Sequence, residues 1–142
     1  MAEITRAKAR TIITKAFAHG KDKGMRPLAV IVLDAGGHTR AYERDDGAAP
    51  GRYPIAEGKA YGALMMGVGG TALNKLASDR LHFGNALAAA YGGKFIPVPG
   101  GVLVRDKRGA IIGAVGVSGD TSENDAAAAL AGIEAAGFTG EA

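Results

Sequence analysis

The run Leu28-Ala-Val-Ile-Val-Leu33 has no polar interruption and is rich in β-branched residues. Such a run reads as a strand buried on both faces. It ends in Asp34-Ala35-Gly36-Gly37, where the glycines permit a positive φ, and Thr39 to Arg44 resumes a strand-like pattern. The two segments predict a β-hairpin. A second hairpin is predicted where Val102 to Arg105 and Ala110 to Val117 flank Asp106-Lys107-Arg108-Gly109. Neither hairpin contains the long crossover that joins parallel strands, which argues against a doubly wound sheet. Strands apolar on both sides need cover on both sides. The expected fold class is therefore α+β, an antiparallel sheet between helical layers (α/β/α).

The rest of the chain supplies the cover. Ala9, Ile12, Ile13, Ala16, Phe17 and Gly20 fall at helical spacing and predict an amphipathic helix from about Thr5 to His19. Gly47, Pro50, Gly51 and Pro54 mark residues 45–54 as a loop. Ile55 to Met66 reads as a helix with Ala56, Ala60, Ala63 and Leu64 on one face, broken by Gly67, Gly69 and Gly70. Thr71 is placed to cap a short helix through Leu76. Arg80 to Gly92 reads as a partly helical connection, and residues 95–101 as extended, since each residue before a proline is pushed out of the helical region. Asp120 with Glu123 resembles a capping box opening a last helix that ends near Ala136, with Gly137 as its left-handed stop.

Composition narrows the function. At 142 residues the chain is the size of one domain, expected to span residues 1–142. It has no cysteine, which excludes disulfides, thiol nucleophiles and cysteine-held metal. It has no tryptophan, few aromatics and a net charge of +3 spread without a dense basic run, so no nucleic-acid partner is expected. No apolar run reaches the roughly 20 residues of a membrane span, and the N-terminus lacks an apolar signal core. The expected location is the cytoplasm.

Glycine is abundant, 23 of 142 residues. Glycine inside a strand marks a bulge or the close approach of a backbone or ligand. Gly113, Gly116 and Gly119 sit in or after the last predicted strand, and Gly119 precedes a helix N-terminus, where a carboxylate or phosphate is favoured unless Asp120 already caps it. Gly67-Val68-Gly69-Gly70 follows a helix and lacks phosphate-loop spacing. Lys59 is the one cation in an otherwise small and apolar helical stretch. It can snorkel to solvent or hold an anionic group. His19, His38 and His82 have no mutual metal-binding spacing, but a haem needs only one protein ligand, so each is a candidate. Ser118 lacks the nucleophile-elbow context of a hydrolase.

Three segments in order then resemble a known family: Ala29 to Ala48 (AVIVLDAGGHTRAYERDDGA), Ile55 to Ala60 (IAEGKA), and Pro99 to Leu103 (PGGVL) with Ile112 to Gly119 (IGAVGVSG) and Glu123-Asn124-Asp125. Together they are similar to the small haem-binding family named after GlcG and HbpS, also labelled a haem-degrading domain. It includes the C-terminal domain of PduO-type corrinoid adenosyltransferases. The resemblance implies a profilin-like antiparallel sheet of about five strands between helices, and a homo-oligomer, for which the alanine-rich stretch 126–136 is compatible with close packing on a neighbour. It matches Asp34, Gly36, Gly37, Arg44, Asp46, Gly47, Lys59, Thr71, Gly100, Gly101, Gly116, Ser118, Gly119 and Asp125. Asp45 stands where the family usually has methionine, and Asp120 where it usually has glycine. No histidine inherits a ligand role from the family pattern.

Three functions remain open on these grounds. The first is a binding protein for haem or a related tetrapyrrole or corrinoid, with Arg44, Lys59, Thr71, Gly100, Gly101, Ser118 and Gly119 around a pocket between the Lys59 helix and the glycine-rich strand ends. The second is a small catabolic isomerase, tautomerase or lyase acting on an anionic metabolite, with Lys59 and Arg44 as anchors and Asp46, His38 or Tyr53 moving a proton. The third is a structural or sensory subunit of an oligomer.

Overall fold

The computed structural model describes residues 2–142. The described residues form α1 (Arg6–Asp22), β1 (Ala29–Asp34), β2 (Thr39–Arg44), α2 (Arg52–Met66), α3 (Gly70–Asp79), α4 (Leu81–Ala90), β3 (Gly101–Arg105), β4 (Ile111–Ser118), α5 (Ser122–Ala135) and β5 (Thr139–Glu141). The sheet runs β2-β1-β4-β3-β5 with every neighbouring pair antiparallel. This is the layered α+β architecture the two hairpins predict.

Strand alternation divides β1 between two cores. Val30 and Val32 meet Ile12, Ile13 and Ala16 of α1 and Ala128, Ala129 and Ile133 of α5. Ile31 and Leu33 face the other way, onto Ala56, Ala60 and Ala63 of α2. Each fully buried branched side chain here stabilises the fold by roughly 1.5–3 kcal/mol. β2 is an edge strand with four exposed residues of six, which explains its charged sequence.

Several boundaries differ from the sequence reading. Thr5 is the N-cap of α1, its side chain accepting from the Lys8 N–H at 3.2 Å, and the helix runs three residues past His19. α2 begins at Arg52, so Pro54 lies in its first turn, where a missing N–H costs nothing. α3 starts at Gly70 with Gly69 as N-cap, two residues before the expected Thr71 cap, and runs to Asp79. Residues 81–90 are a full helix. The cap of α5 is Thr121, whose side chain accepts from the Asn124 N–H at 3.2 Å, and not Asp120. The fifth strand, Thr139–Glu141, pairs with β3, and no local apolar pattern predicts it. The alanine-rich face of α5 packs on α1 within the chain: a Cβ at Gly132 would strike the Ile12 carbonyl.

Candidate functional site

Antiparallel pairing gathers most of the matched residues at one end of the sheet. Ala29 pairs with Arg44 on one side and Ser118 on the other. Gly101 pairs with Gly116, and the Val117 N–H donates to the Gly100 carbonyl at 3.0 Å. α2 begins at this end and carries Lys59 over it.

The glycines there admit the protein's own backbone. A Cβ at Gly116 would overlap the Ala56 carbonyl, and one at Gly101 the Lys59 carbonyl. The space anticipated between α2 and these strands is filled by α2 itself. Lys59 neither snorkels nor faces an open cavity: it is 4% exposed. Its Nζ donates to the Asp125 carboxylate at 2.9 Å and to the Val117 carbonyl at 3.0 Å. Gly100, at φ 117°, leaves room for it, since a Cβ there would lie 3.0 Å from Nζ. Asp125 is equally enclosed, at 1% exposure. Burial pushes its carboxyl above the ordinary value, against the pull of the Lys59 ammonium. The pair links α2, on one face of the sheet, to α5 on the other.

From Asp125 a hydrogen-bond chain leads outward. Asp125 Oδ1 accepts from the Asp120 N–H at 2.9 Å, and Asp120 Oδ2 accepts from the Arg26 N–H at 2.9 Å. Asp120 Oδ1 also takes the Asn124 side-chain amide at 2.7 Å and the Thr121 N–H at 2.9 Å. The Arg26 N–H, followed by these two donors, holds the Asp120 carboxyl far below its ordinary value. Gly119, at φ 149°, makes the junction possible, because a Cβ would strike the Pro27 carbonyl.

Beyond Arg26 opens a cleft of about 530 Å³ between the C-terminal half of α1, the segment before β1 and the exit of β2. Phe17, Met25, Pro27 and Leu28 give it apolar walls, and Lys21, Arg26 and Arg44 bring cations, offset by Glu43, Asp45 and Asp46. His19 is half-buried and lies between Ala18 and Gly20 in sequence, without lining the cleft itself.

Of the sequence-predicted site residues, Arg44 and Asp46 line this cleft; His19, on α1, does not. Ser118 is buried at the same sheet end, where its Oγ accepts from Arg52 Nη1 at 3.2 Å. Tyr53 is at the start of α2, its ring edge-on to Tyr42 at 4.7 Å and its hydroxyl donating to Glu57 at 3.4 Å. His38 is exposed in the β1–β2 turn at the opposite end, its N–H donating to Asp34 Oδ1 at 3.0 Å. Thr71 and His82 are exposed on α3 and α4. Lys59 and Arg44 therefore do not converge on one ligand. Among the described residues no group of three or more His, Asp or Glu is arranged to hold a metal ion, and no helix is long and apolar enough to cross a membrane.

Sequence reasoning missed Phe17, Lys21, Met25 and Arg26. The β1–β2 register held the signal. If Ala29 pairs with Arg44, the residues before 29 must meet those after 44, as the bond from the Asp45 N–H to the Leu28 carbonyl at 2.9 Å shows.

A five-stranded antiparallel sheet between helical layers, with a mixed apolar and charged cleft at one end, defines a small α+β domain of a type seen in several solved structures. The chain belongs to the HbpS-like family, described as haem degrading protein HbpS-like, whose model matches residues 4–134. The Klebsiella pneumoniae protein ORFY is 25% identical, the match covering 96% of this chain and 93% of that one, with a TM-score of 0.83. An HbpS double mutant from Streptomyces reticuli is 27% identical over 94% of this chain and 87% of its own, with a TM-score of 0.79. A PduOC–haem complex matches 96% of this chain and 97% of its own with a TM-score of 0.85, and at 22% identity it speaks to the fold. No curated protein sequence matches significantly.

Proposed function

We propose that this protein binds haem or a closely related tetrapyrrole in the cleft beside α1. The observation that carries the reading is the cleft itself, in a member of a family described by haem degradation. A macrocycle needs an apolar wall and cations for its carboxylates. Phe17, Met25 and Leu28 supply the first, and Lys21 and Arg44 the second. His19 is the histidine nearest these walls in the chain and the candidate iron ligand. The bound group would supply redox-active iron, while the apolar residues keep water from its face. In this reading the protein works in the cytoplasm as a homo-oligomer. The open outer edge of β2 and Leu81, 71% exposed, are surfaces that a second copy would cover.

Titration of the purified protein with hemin tests the reading through the Soret band. The expected result is saturable binding. His19→Ala should shift the band and weaken binding at least about tenfold, since even outer-shell partners of a metal are worth that much, while His82→Ala should leave both unchanged. A flat, unsaturable response shared with an unrelated control protein overturns it.

A further inference from the structure

We propose that Asp120 and Asp125 are positioning residues for the ligand cleft: Asp125, pinned by Lys59 inside the fold, holds the Asp120 backbone, and the Asp120 carboxylate fixes the Arg26–Leu28 wall. This inference rests on the cleft being the ligand site. Each link is a short hydrogen bond: Lys59 Nζ to Asp125 Oδ2, the Asp120 N–H to Asp125 Oδ1, and the Arg26 N–H to Asp120 Oδ2, all at 2.9 Å. The first link is buried; the last reaches a segment otherwise held at its two ends, by the Met25 N–H on the Gly20 carbonyl at 2.8 Å and the Asp45 N–H on the Leu28 carbonyl at 2.9 Å.

That segment is the cleft wall. Residues 23–28 are neither helix nor strand until β1 begins, and Arg26 and Pro27 are exposed. Pro27 has no N–H to give, so the Arg26 N–H is the donor that can tie this stretch to the end of β4. Arg26 is also a rim cation. Its side chain is 67% exposed with Nε 3.5 Å from Asp120, whose own side chain is only 11% exposed. The same carboxylate therefore sets both where the wall lies and how the guanidinium leans. It does so as a charged acceptor, the stronger kind of hydrogen-bond partner. Thr121 caps α5, and Asp120 touches that helix only at its start, through the Thr121 N–H and the Asn124 side-chain amide.

The experiment compares Asp120→Ala and Asp120→Asn with wild type, reading amide hydrogen exchange at Arg26 and hemin affinity. Loss of a hydrogen bond to a charged group corresponds to tenfold or more. Asp120→Ala should speed Arg26 exchange at least about tenfold and weaken hemin about tenfold, with α5 amides beyond its first turn unchanged. Asp120→Asn keeps one acceptor oxygen but sets an amide donor against the donors on its other side, so both readouts should fall between Asp120→Ala and wild type. The neutral pair Lys59→Gln with Asp125→Asn should loosen Arg26 when Asp120 is present and have no added effect in the Asp120→Ala background, where the chain is already cut. Unchanged Arg26 exchange in Asp120→Ala overturns the proposal. So does faster exchange with unchanged hemin affinity in a protein that binds hemin saturably. Absence of hemin binding by the wild type overturns the haem reading instead, and exchange at Arg26 then judges the positioning alone.

Discussion

The two faces of the sheet are packed by opposite means. Under α1 and α5 the strands present Val30, Val32, Val102, Val104, Val115 and Val117, and the helices answer with isoleucines and alanines across an ordinary side-chain layer. Under α2 the strands present Gly101 and Gly116, and the backbone carbonyls of Lys59 and Ala56 come down into the space a side chain would need. At this end one face is held apart by branched side chains and the other is drawn together where glycines replace them, while Ile31, Leu33 and Leu103 fill the rest of the α2 face. A glycine-rich strand end is thus no sign of a cavity by itself, since a helix is as good a visitor as a ligand. A buried ion pair, Lys59 with Asp125, ties the layers, passing around the end of β4 from one face to the other.

That tie gives the largest expected effect. Lys59→Met leaves Asp125 buried with no countercharge, and breaking a buried pair from one side costs about 3–5 kcal/mol. Denaturant unfolding should show that loss as a lower midpoint. Lys59→Met combined with Asp125→Leu should recover most of it, because apolar replacement of both partners is commonly near neutral. The unpaired Asp120 N–H accounts for what is not recovered. Equal stability of single and double variants would mean that the pair does not join the two layers energetically.

The packing contrast itself is next. Gly116→Ala puts a methyl against a main-chain carbonyl that no rotamer can move, so the loss should lie at the upper end of overpacking, about 3 kcal/mol. On the opposite face Ile12→Val removes one methyl from a side-chain layer and should cost about 0.5–1.5 kcal/mol. If the two losses came out alike, the distinction between the faces would fail.

The same contrast explains what the sequence could and could not reveal. Unbroken apolar strands, two turn signals and the spacing of residues 9–20 are local facts, and they suffice for the layered sheet. β5 escaped because Thr139-Gly140-Glu141 is polar and only three residues long, and it is a strand only because β3 offers an edge. Thr121 and Gly69 displaced the expected caps because a cap is chosen by where the chain turns, and neighbouring residues of similar chemistry compete for it. At the site, Arg44 and Asp46 were visible as charges leaving a strand. Lys59 was misplaced, since its partner Asp125 lies 66 residues away on the other face. The cleft walls were invisible for the same reason: Phe17, Met25 and Leu28 meet only through the register of β1 with β2 and the return of α1.

The smallest effect is an acid limb of the stability curve, and it separates the exposed end of the hydrogen-bond chain from the buried one. Asp120 has a folded-state pKa below its ordinary 3.8, held down first by the Arg26 N–H. The unfolded chain then takes up its proton before the native state does as pH falls. The stability this carboxylate provides is complete above its unfolded value and drains away below it. Asp125 has the opposite sign: its folded pKa is raised by burial, so its contribution weakens as pH rises through the window above 3.8. Unfolding midpoints followed from about pH 5 to about pH 2 should fall for the wild type, because Asp106, lowered by the Ala110 and Arg108 N–H groups, adds to the Asp120 limb. Asp120→Asn should fall less steeply over the same range, leaving the Asp106 part. An unchanged slope would place the Asp120–Arg26 bond outside the energetics of the native state, and with it the reason for a fixed wall on the cleft.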